Sequence, residues 1–289
     1  MPNDAFLNDL ANCGSAETLL ATIFKYHPDL RAPVDVVAIA HGAGITKVRD
    51  LETAGLSSAL TTDIAKGEAA ISCGTGLSAQ LRRFAIAHQL GHFLLDGQFV
   101  DRQCSNRDLA ENRRDTPARK AEMHANRFAA GLLMPKPLFV ASVEELGKPT
   151  VTHLPDIAAA YDVTLEAAAT RYADLTQAMC AFLFVKDGIL RYARPSRFFP
   201  TLSIQTGDPI PASVKSATPK DRIAWLPAEA RDWIEISRHT RPPKLTMQIL
   251  SKANGFQLVM LFGNVAAERR ADEEAEKEAT EKPKFGQRR

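Results

Sequence analysis

The sequence predicts an α+β protein, with a mainly helical domain that contains a small sheet and a smaller β-rich domain after it. Three observations predict this class. Apolar residues recur at helical spacing along most of the chain up to residue 176. Two short strand-like runs between residues 57 and 72 interrupt that spacing. From residue 177 onward, apolar runs rich in aromatic and branched residues alternate with tight-turn signals, as in an antiparallel sheet.

The composition is that of an ordinary globular protein. Its 289 residues suffice for one large domain or two average ones. Apolar residues make up 45% and charged residues 24%, so the chain can bury a substantial core. The net charge of +2 comes from 36 basic and 34 acidic residues, so no global field attracts nucleic acid or a membrane. We therefore expect any effect on DNA to pass through a partner protein.

Cysteine usage and hydropathy indicate a cytoplasmic protein. The cysteines Cys13, Cys73, Cys104 and Cys180 are scattered and form no CxxC pair. This argues against a disulfide framework or a cysteine-rich zinc module, and it suits a reducing compartment. The N-terminus lacks a basic segment followed by a long apolar run. No window of the sequence approaches the ~18 apolar residues that span a bilayer. We expect no association with a membrane.

The first predicted elements are short. Residues 16–26 have the apolar spacing of an amphipathic helix. Pro33 is expected to open a second helix, which the Gly42 and Gly44 pair ends. The runs SSALT and EAAIS, separated by residues 63–67, predict a β-hairpin.

Two long helices are predicted after the hairpin. Ser78 is a suitable N-cap for a helix that runs to Asp96, and its apolar residues are too dense for a surface helix, so we expect it to be buried. Residues 97–117 are polar and predict a mobile excursion. The second long helix spans residues 118–134 and ends at Pro135.

The rest of the chain predicts two short helices, near residues 154–161 and 164–176, and then two hairpins. AFLFV and ILRYA flank the turn signal Lys186-Asp187-Gly188, and LTMQILSK and FQLVMLF flank residues 253–255.

We therefore predict four segments: an N-terminal helical segment (1–30), a main domain (31–176), a β-rich domain that senses a signal or binds a partner (177–264), and a charged tail that is a solvated helix or disordered (265–289).

His88 and His92 are the first candidates for a chemical site. They lie four residues apart in a strong helical pattern. Four residues turn a helix by about 400° and raise it by about 6 Å, so both imidazoles leave one face and can bind a single ion. A catalytic zinc site adds one further protein ligand and an open position for water. The spacing alone is a weak signal, because two core or surface histidines also produce it.

The sequence around the two histidines strengthens the metal hypothesis. Gly91, between them, allows another element to approach closely. The second long helix offers Glu122, with Asn126 one turn later on the same face, and a carboxylate from a neighbouring helix is a usual third ligand. We predict one ion between His88, His92 and Glu122. Zinc is favoured, and Mn²⁺ or Fe²⁺ also suits these ligands.

The segments RRFAIAHQLGHFLLD and EMHANRFAAGLLMP resemble the ImmA/IrrE family of metallo-endopeptidases. That family pairs an HExxH helix with a later E-x-x-x-N-x-FAA-x-LLMP helix, and the PVDV helix, the following Gly-Ile strand and the hairpin also fit its N-terminal half. The resemblance covers roughly residues 30–175. It implies a zincin-like metallopeptidase fold in which His88 and His92 are the histidine ligands and Glu122 is the acidic ligand.

One departure from the family concerns catalysis. The family has Glu directly after the first histidine, where this chain has Gln89. In such enzymes this Glu takes a proton from the attacking water, and losing a positioned base typically costs about 10²–10⁴ in rate. Gln89 is either an engineered substitution or a natural inactive form, and both explanations are favoured equally. A replacement base is disfavoured, because the nearest carboxylate, Asp96, lies two turns away.

Other residues have smaller predicted roles. Asp96, one turn after His92, is expected to hydrogen bond to that histidine, and Asn126 to support the site from the second helix. Arg171 and Tyr172 are candidates for stabilising an oxyanion, although packing and a salt bridge are the preferred interpretation.

Three further features are interpreted from their position. His124 is two residues from Glu122, about 200° around the helix, so we expect it not to share the ion. Cys104 is a candidate redox-sensitive thiol, but nothing nearby predicts a lowered pKa. By analogy with the fold, the strand at residues 70–72 is expected to pair with an extended substrate peptide.

The resemblance implies a function in gene regulation. The family typically cuts a cognate helix-turn-helix repressor, which relieves repression of stress-response or mobile-element genes. The alternative is a non-catalytic metal-binding module that switches transcription by sequestering a regulator. Direct DNA binding is disfavoured by the near-neutral charge.

Overall fold

The computed structural model consists of two compact units. Unit 1 comprises Met1–Glu145 and Leu154–Arg171, and unit 2 comprises Leu146–His153 and Tyr172–Arg289. The residues that the structure describes are 4–53, 55–63, 65–96, 101–110, 116–215, 224–236, 242–252 and 254–263. The predicted charged tail lies outside them. None of the described helices is long and apolar enough to cross a membrane.

Unit 1 combines helices with a four-stranded sheet. The helices that lie wholly or largely in it are α1 (Asp4–Ala11), α2 (Ala16–Tyr26), α3 (Val36–Gly42), α4 (Ala79–Leu95), α5 (Pro117–Leu133), α6 (Lys136–Leu146), α7 (His153–Tyr161) and α8 (Leu165–Leu175). Its strands are β1 (Lys47–Leu51), β2 (Ser58–Asp63), β3 (Glu68–Gly74) and β4 (Arg102–Cys104). The sheet order is β1-β3-β2-β4, with β1 parallel to β3 and the other pairs antiparallel. This mixed architecture confirms the predicted α+β class.

Capping side chains decide where the N-terminal helices begin. Ser15 and Thr18 form a capping box that starts α2 where the sequence predicts it. The prediction that Pro33 opens α3 is wrong. The helix begins at Val36, because the Asp35 carboxylate accepts a backbone N–H of the first turn.

Strands β2 and β3 form the predicted hairpin. Strand β3 is in the interior of the sheet, since Ala70 is opposite Thr61 of β2 on one side and Lys47 of β1 on the other. Both backbone edges of residues 70–72 are therefore occupied. The prediction that this strand pairs with a substrate peptide is wrong.

Residues 101–110 are part of the folded unit. Strand β4 pairs with β2, with Cys104 directly opposite Ser58, and a 3₁₀ turn follows at Asp108–Ala110. The prediction of a mobile excursion over residues 97–117 is therefore wrong for the part that the structure describes. Hydrophobic periodicity does not predict β4, because this strand is three residues long and contains one apolar side chain.

Helices α4 and α5 form the centre of unit 1. Ser78 and Thr116 cap them, each accepting a backbone N–H of its helix's first turn. Every residue of α4 from Ala85 to Phe93 is buried, as the dense apolar pattern predicts. The part of α4 that carries His88 and His92 therefore lies inside the unit.

The two helices approach closely at Gly91. A β-carbon there would lie 3.1 Å from Ala125 Cα and 3.1 Å from Phe128 Cδ1, both in α5. Glycine therefore sets the distance at which the side chains of α4 and α5 meet.

Unit 2 is built on a five-stranded antiparallel sheet. Its strands and helix are β5 (Met179–Lys186), β6 (Ile189–Pro195), α9 (Ala212–Lys215), β7 (Leu226–Ala228), β8 (Leu245–Ser251) and β9 (Phe256–Gly263), and the sheet order is β6-β5-β9-β8-β7. The two predicted hairpins, β5–β6 and β8–β9, are confirmed. In the first turn Asp187 and Gly188 have positive φ angles of 52° and 77°, which a two-residue hairpin turn requires. An apolar core that contains the fully buried Trp233 packs against this sheet.

The close approach at Gly91 gives a prediction about stability. We expect Gly91→Val to lower the free energy of unfolding by about 1–3 kcal/mol, because the added carbons overpack the α4–α5 contact. Gly14→Val is the control, since a β-carbon at Gly14 meets no atom within 4 Å. Chemical denaturation of the two variants measures the difference. Equal stability of both variants would show that the helices separate without cost.

Candidate metal centre

The side chains of His88, His92 and Glu122 converge in unit 1. His88 Nε2 lies 3.1 Å from His92 Nε2, and Glu122 Oε2 lies 3.1 Å from the first and 3.3 Å from the second. The two histidines are 0% and 1% exposed. One turn of α4 separates them, and α5 supplies the carboxylate across the contact at Gly91.

Hydrogen bonds on the far side of each imidazole fix its orientation. His88 Nδ1 donates to Asn126 Oδ1 (2.8 Å), because the amide group of Asn126 in turn donates to Asp108 O (3.0 Å). His92 Nδ1 donates to Asp96 Oδ2 (2.6 Å), and Arg102 pairs with the same oxygen (3.1 Å). Because each Nδ1–H is engaged behind the ring, the neutral form of each imidazole has its Nε2 lone pair pointing into the cluster.

These distances fit a bound cation. Ligands at about 2.0–2.1 Å in tetrahedral array lie about 3.3 Å from one another, close to the separations between His88, His92 and Glu122. Lone pairs held this close in a buried place repel one another unless positive charge lies among them. A divalent ion therefore satisfies all three groups at once. The chemistry of one carboxylate and two imidazoles suits zinc, and also manganese or iron.

Cys104 is a fourth member of the cluster. Its Sγ lies 3.9 Å from Glu122 Oε2, and one ligand atom from each of the four residues lies within 4.8 Å of all the others. The side chain is 0% exposed. Sequence reasoning did not assign Cys104 to the site, and its spacing from His92 gives no signal for a metal ligand.

The contacts within the cluster shift pKa values strongly. Burial favours the neutral imidazole of His92, but hydrogen bonds to its neighbours, Asp96 first, outweigh burial and raise the pKa of His92 to about 11. Burial alone would raise the pKa of Glu122, yet hydrogen bonds from the two histidines hold it well below its usual range. The pKa of Cys104 is lowered as well, because contacts with the histidines outweigh burial. The prediction that nothing near Cys104 lowers its pKa is therefore wrong.

Gln89 is buried beside β2, the strand that pairs with the one carrying Cys104. Its Nε2 donates to Ser58 Oγ (2.9 Å), and Ser58 is the residue opposite Cys104 in the β2–β4 pair. Gln89 is 0% exposed, and its Oε1 has no hydrogen-bond partner among the described residues. A buried acceptor without a partner is costly, so this oxygen is suited to receive a hydrogen bond from water or ligand. As an amide it cannot take up a proton at neutral pH.

The remaining predicted residues are held in other ways. Arg171 Nε donates to Met134 O (3.0 Å), and the Tyr172 ring packs edge-on against Phe182 at 5.3 Å. Burial raises the pKa of Tyr172 further above its ordinary value. His124 is exposed on α5 and is not a member of the cluster. These contacts are structural, and a role for Arg171 and Tyr172 at an oxyanion stays a prediction.

Comparisons with known proteins give a family match for part of the chain and a similarity in fold. Residues 70–172 match the Peptidase_M78 family model, which describes the IrrE N-terminal-like domain. The structure is similar to that of a Mycobacterium tuberculosis transcriptional regulator, with a TM-score of 0.52 and 16% sequence identity over 93% of this chain and 83% of that chain. At this identity the likeness concerns the fold alone. A comparison with curated proteins gives no match.

The first prediction about the site concerns its ligands. We expect His88→Ala, His92→Ala and Glu122→Ala each to lower the affinity for zinc by at least ~10–100-fold. Removing a residue that only hydrogen bonds to a metal ligand already causes a loss of this size. His124→Ala is the matched control, because this histidine is exposed on the same helix as Glu122. Calorimetric titration and elemental analysis after dialysis measure the effect. Unchanged affinity in the three cluster variants would place the metal elsewhere.

The second prediction concerns pH. The raised pKa of His92, about 11, means that the metal-free cluster holds a proton at neutral pH. Zinc must displace that proton, so we expect affinity to rise as the pH increases over roughly 6–8. Calorimetry in buffers of different ionisation enthalpy measures the protons released. Binding that is independent of both pH and buffer would contradict the protonated cluster.

Proposed function

We propose that this chain is a zinc-dependent endopeptidase-type regulator of a helix-turn-helix repressor, since residues 70–172 match the model of the IrrE N-terminal-like domain. The observation that carries the proposal is the convergence of two Nε2 atoms and one carboxylate oxygen within 3.3 Å of each other. His88, His92 and Glu122 would hold the ion. Cleavage or capture of the repressor would relieve repression of stress-response or mobile-element genes.

The chemistry divides between the ion and the protein. Bound zinc supplies a Lewis acid that polarises a scissile carbonyl and makes water more acidic. The described side chains fix its ligands: Asn126 orients His88, and Asp96 orients His92. Gln89 occupies the position of the general base, where its Oε1 can accept a hydrogen bond but cannot carry a proton to the leaving nitrogen. Hydrolysis by this chain is therefore slowed by about 10²–10⁴ relative to a form with Glu at that position.

A second candidate function is sequestration of the regulator without cleavage. The environment of Gln89 favours it. The Gln89 Nε2 donates to Ser58 Oγ inside the fold, and an amide cannot take up a proton, so this residue is compatible with binding but does not act as a base. In this alternative the ion stabilises the surface that binds the regulator. The regulated step is then release of the regulator and not its cleavage.

The comparison of Gln89→Glu with the unchanged chain separates the two functions. We expect the zinc-loaded Gln89→Glu variant to cut the helix-turn-helix regulator encoded beside its gene about 10²–10⁴ times faster, because a carboxylate restores the base. Gel electrophoresis and mass spectrometry of the products measure cleavage, and calorimetry measures binding.

Two controls accompany this experiment. The double variant with Gln89→Glu and His88→Ala should not cut, because it lacks a ligand, and Gln89→Ala should stay as slow as the unchanged chain. Binding by both forms without cleavage by either would favour sequestration. If neither form binds or cuts the regulator, the regulator is not the partner.

A further inference from the structure

We propose that Cys104 is a fourth protein ligand of the metal, so that His88, His92, Cys104 and Glu122 enclose the ion. The inference rests on the metal-binding part of the proposed function and adds a closed coordination sphere to it. It changes the role of the ion, because structural zinc sites have four protein ligands whereas catalytic sites keep one position open for water.

The position of the thiol fits this role. A sulfur ligand at about 2.3 Å and a nitrogen or oxygen ligand at about 2.0–2.1 Å lie roughly 3.5 Å apart around a tetrahedral ion. Cys104 Sγ lies 3.9 Å from Glu122 Oε2, and all four ligand atoms fall within 4.8 Å of one another. The separation of Cys104 from Glu122 exceeds the tetrahedral value by a few tenths of an ångström, and side-chain movements of about 1 Å bring the longer separations to it.

The fold holds Cys104 in this place from both sides. Ser57 N donates to Cys104 O (2.8 Å), which fixes the end of β4 against β2. Just after the cysteine, Ser105 N and Oγ both donate to Asp108 Oδ2 (2.7 and 2.8 Å), and Asp108 O receives the hydrogen bond of Asn126, the residue that orients His88. The segment that presents the thiol therefore also sets the direction of a histidine ligand.

Charge gives an independent argument. His88 and His92 bind a metal as neutral imidazoles, so a divalent ion with Glu122 as its only anionic ligand leaves a buried positive charge. A Cys104 thiolate cancels it. Neutrality matters because Cys104 and both histidines are at most 1% exposed, and an unpaired charge in such a place is costly.

Cys73 shows what a cysteine without this role looks like. It is also 0% exposed and lies on β3 of the same sheet. Burial raises the pKa of Cys73 to about 11, and it is not a member of the ligand cluster. The two thiols share burial and sheet, so Cys73 serves as the matched control.

A four-ligand site has a consequence for hydrolysis. While Cys104 occupies the fourth position, water has no place on the ion, and the ion would tie β4 to α4 and α5. Hydrolysis, by this chain or by Gln89→Glu, then requires the thiolate to leave the ion first. Gln89 and Cys104 are then two separate departures from a hydrolytic site, one at the base and one at the position of the water.

X-ray absorption of the zinc-loaded full chain tests the proposal directly. We expect one sulfur at about 2.3 Å from zinc and nitrogen or oxygen at about 2.0–2.1 Å. The sulfur contribution should vanish in Cys104→Ser and persist in Cys73→Ser. In the cobalt-loaded protein, the near-ultraviolet charge-transfer band from sulfur to cobalt should follow the same pattern.

The outcomes separate this proposal from the one it rests on. One equivalent of zinc with nitrogen and oxygen ligands only would overturn the role of Cys104 and leave the metal site intact. Absence of bound zinc from the unchanged chain would overturn the metal site itself. If Cys104→Ser does not fold, the sulfur signal of the unchanged chain and of Cys73→Ser still decides the question.

Discussion

The unit 1 structure depends on lone pairs that are buried and held against one another. His88 Nε2, His92 Nε2 and Glu122 Oε2 lie 3.1 to 3.3 Å apart, a spacing that is unfavourable without positive charge among them. In the metal-free cluster a proton on His92 supplies part of that charge, which explains its raised pKa. A divalent cation supplies more of it and satisfies every ligand atom. The folded arrangement is therefore prepared for an ion before one binds.

The surrounding elements all serve this arrangement. Gly91 lets α5 approach α4 closely enough for Glu122 to reach the histidines. Asn126 and Asp96 hold the imidazoles from behind, each through Nδ1. Strand β4 adds Cys104 from the sheet side. Two helices and the strand that lies between them in sequence thus meet at one point, and the cost of burying polar groups is offset there.

The two proposed functions, endopeptidase and binding module, share the same metal cluster. The cluster lies within residues 70–172, which match the model of the IrrE N-terminal-like domain. In the proposed site, Gln89 would supply no proton acceptor, and a Cys104 ligand would remove the open position for water. Both changes leave the scaffold and the ion in place.

Local signals account for much of what the sequence determined. Helix caps at Ser15 and Ser78, turn residues such as Asp187-Gly188, and the spacing of His88 and His92 each act within a few residues. For this reason the hairpins, the long helices and the histidine pair follow from the sequence. Helix α6 was not predicted, because Pro135 ends α5 and the next helix begins at once with a proline in its first turn, where proline is tolerated.

Only the tertiary structure decided what depends on pairing between distant segments. The interior position of β3, the strand character of residues 102–104 and the entry of Cys104 into the ligand cluster have no local periodicity behind them. Each is fixed by a backbone ladder or by packing across many residues. Chemistry-bearing residue types can be recognised in a sequence, but the set that shares one ion is decided by distances that only the folded chain defines.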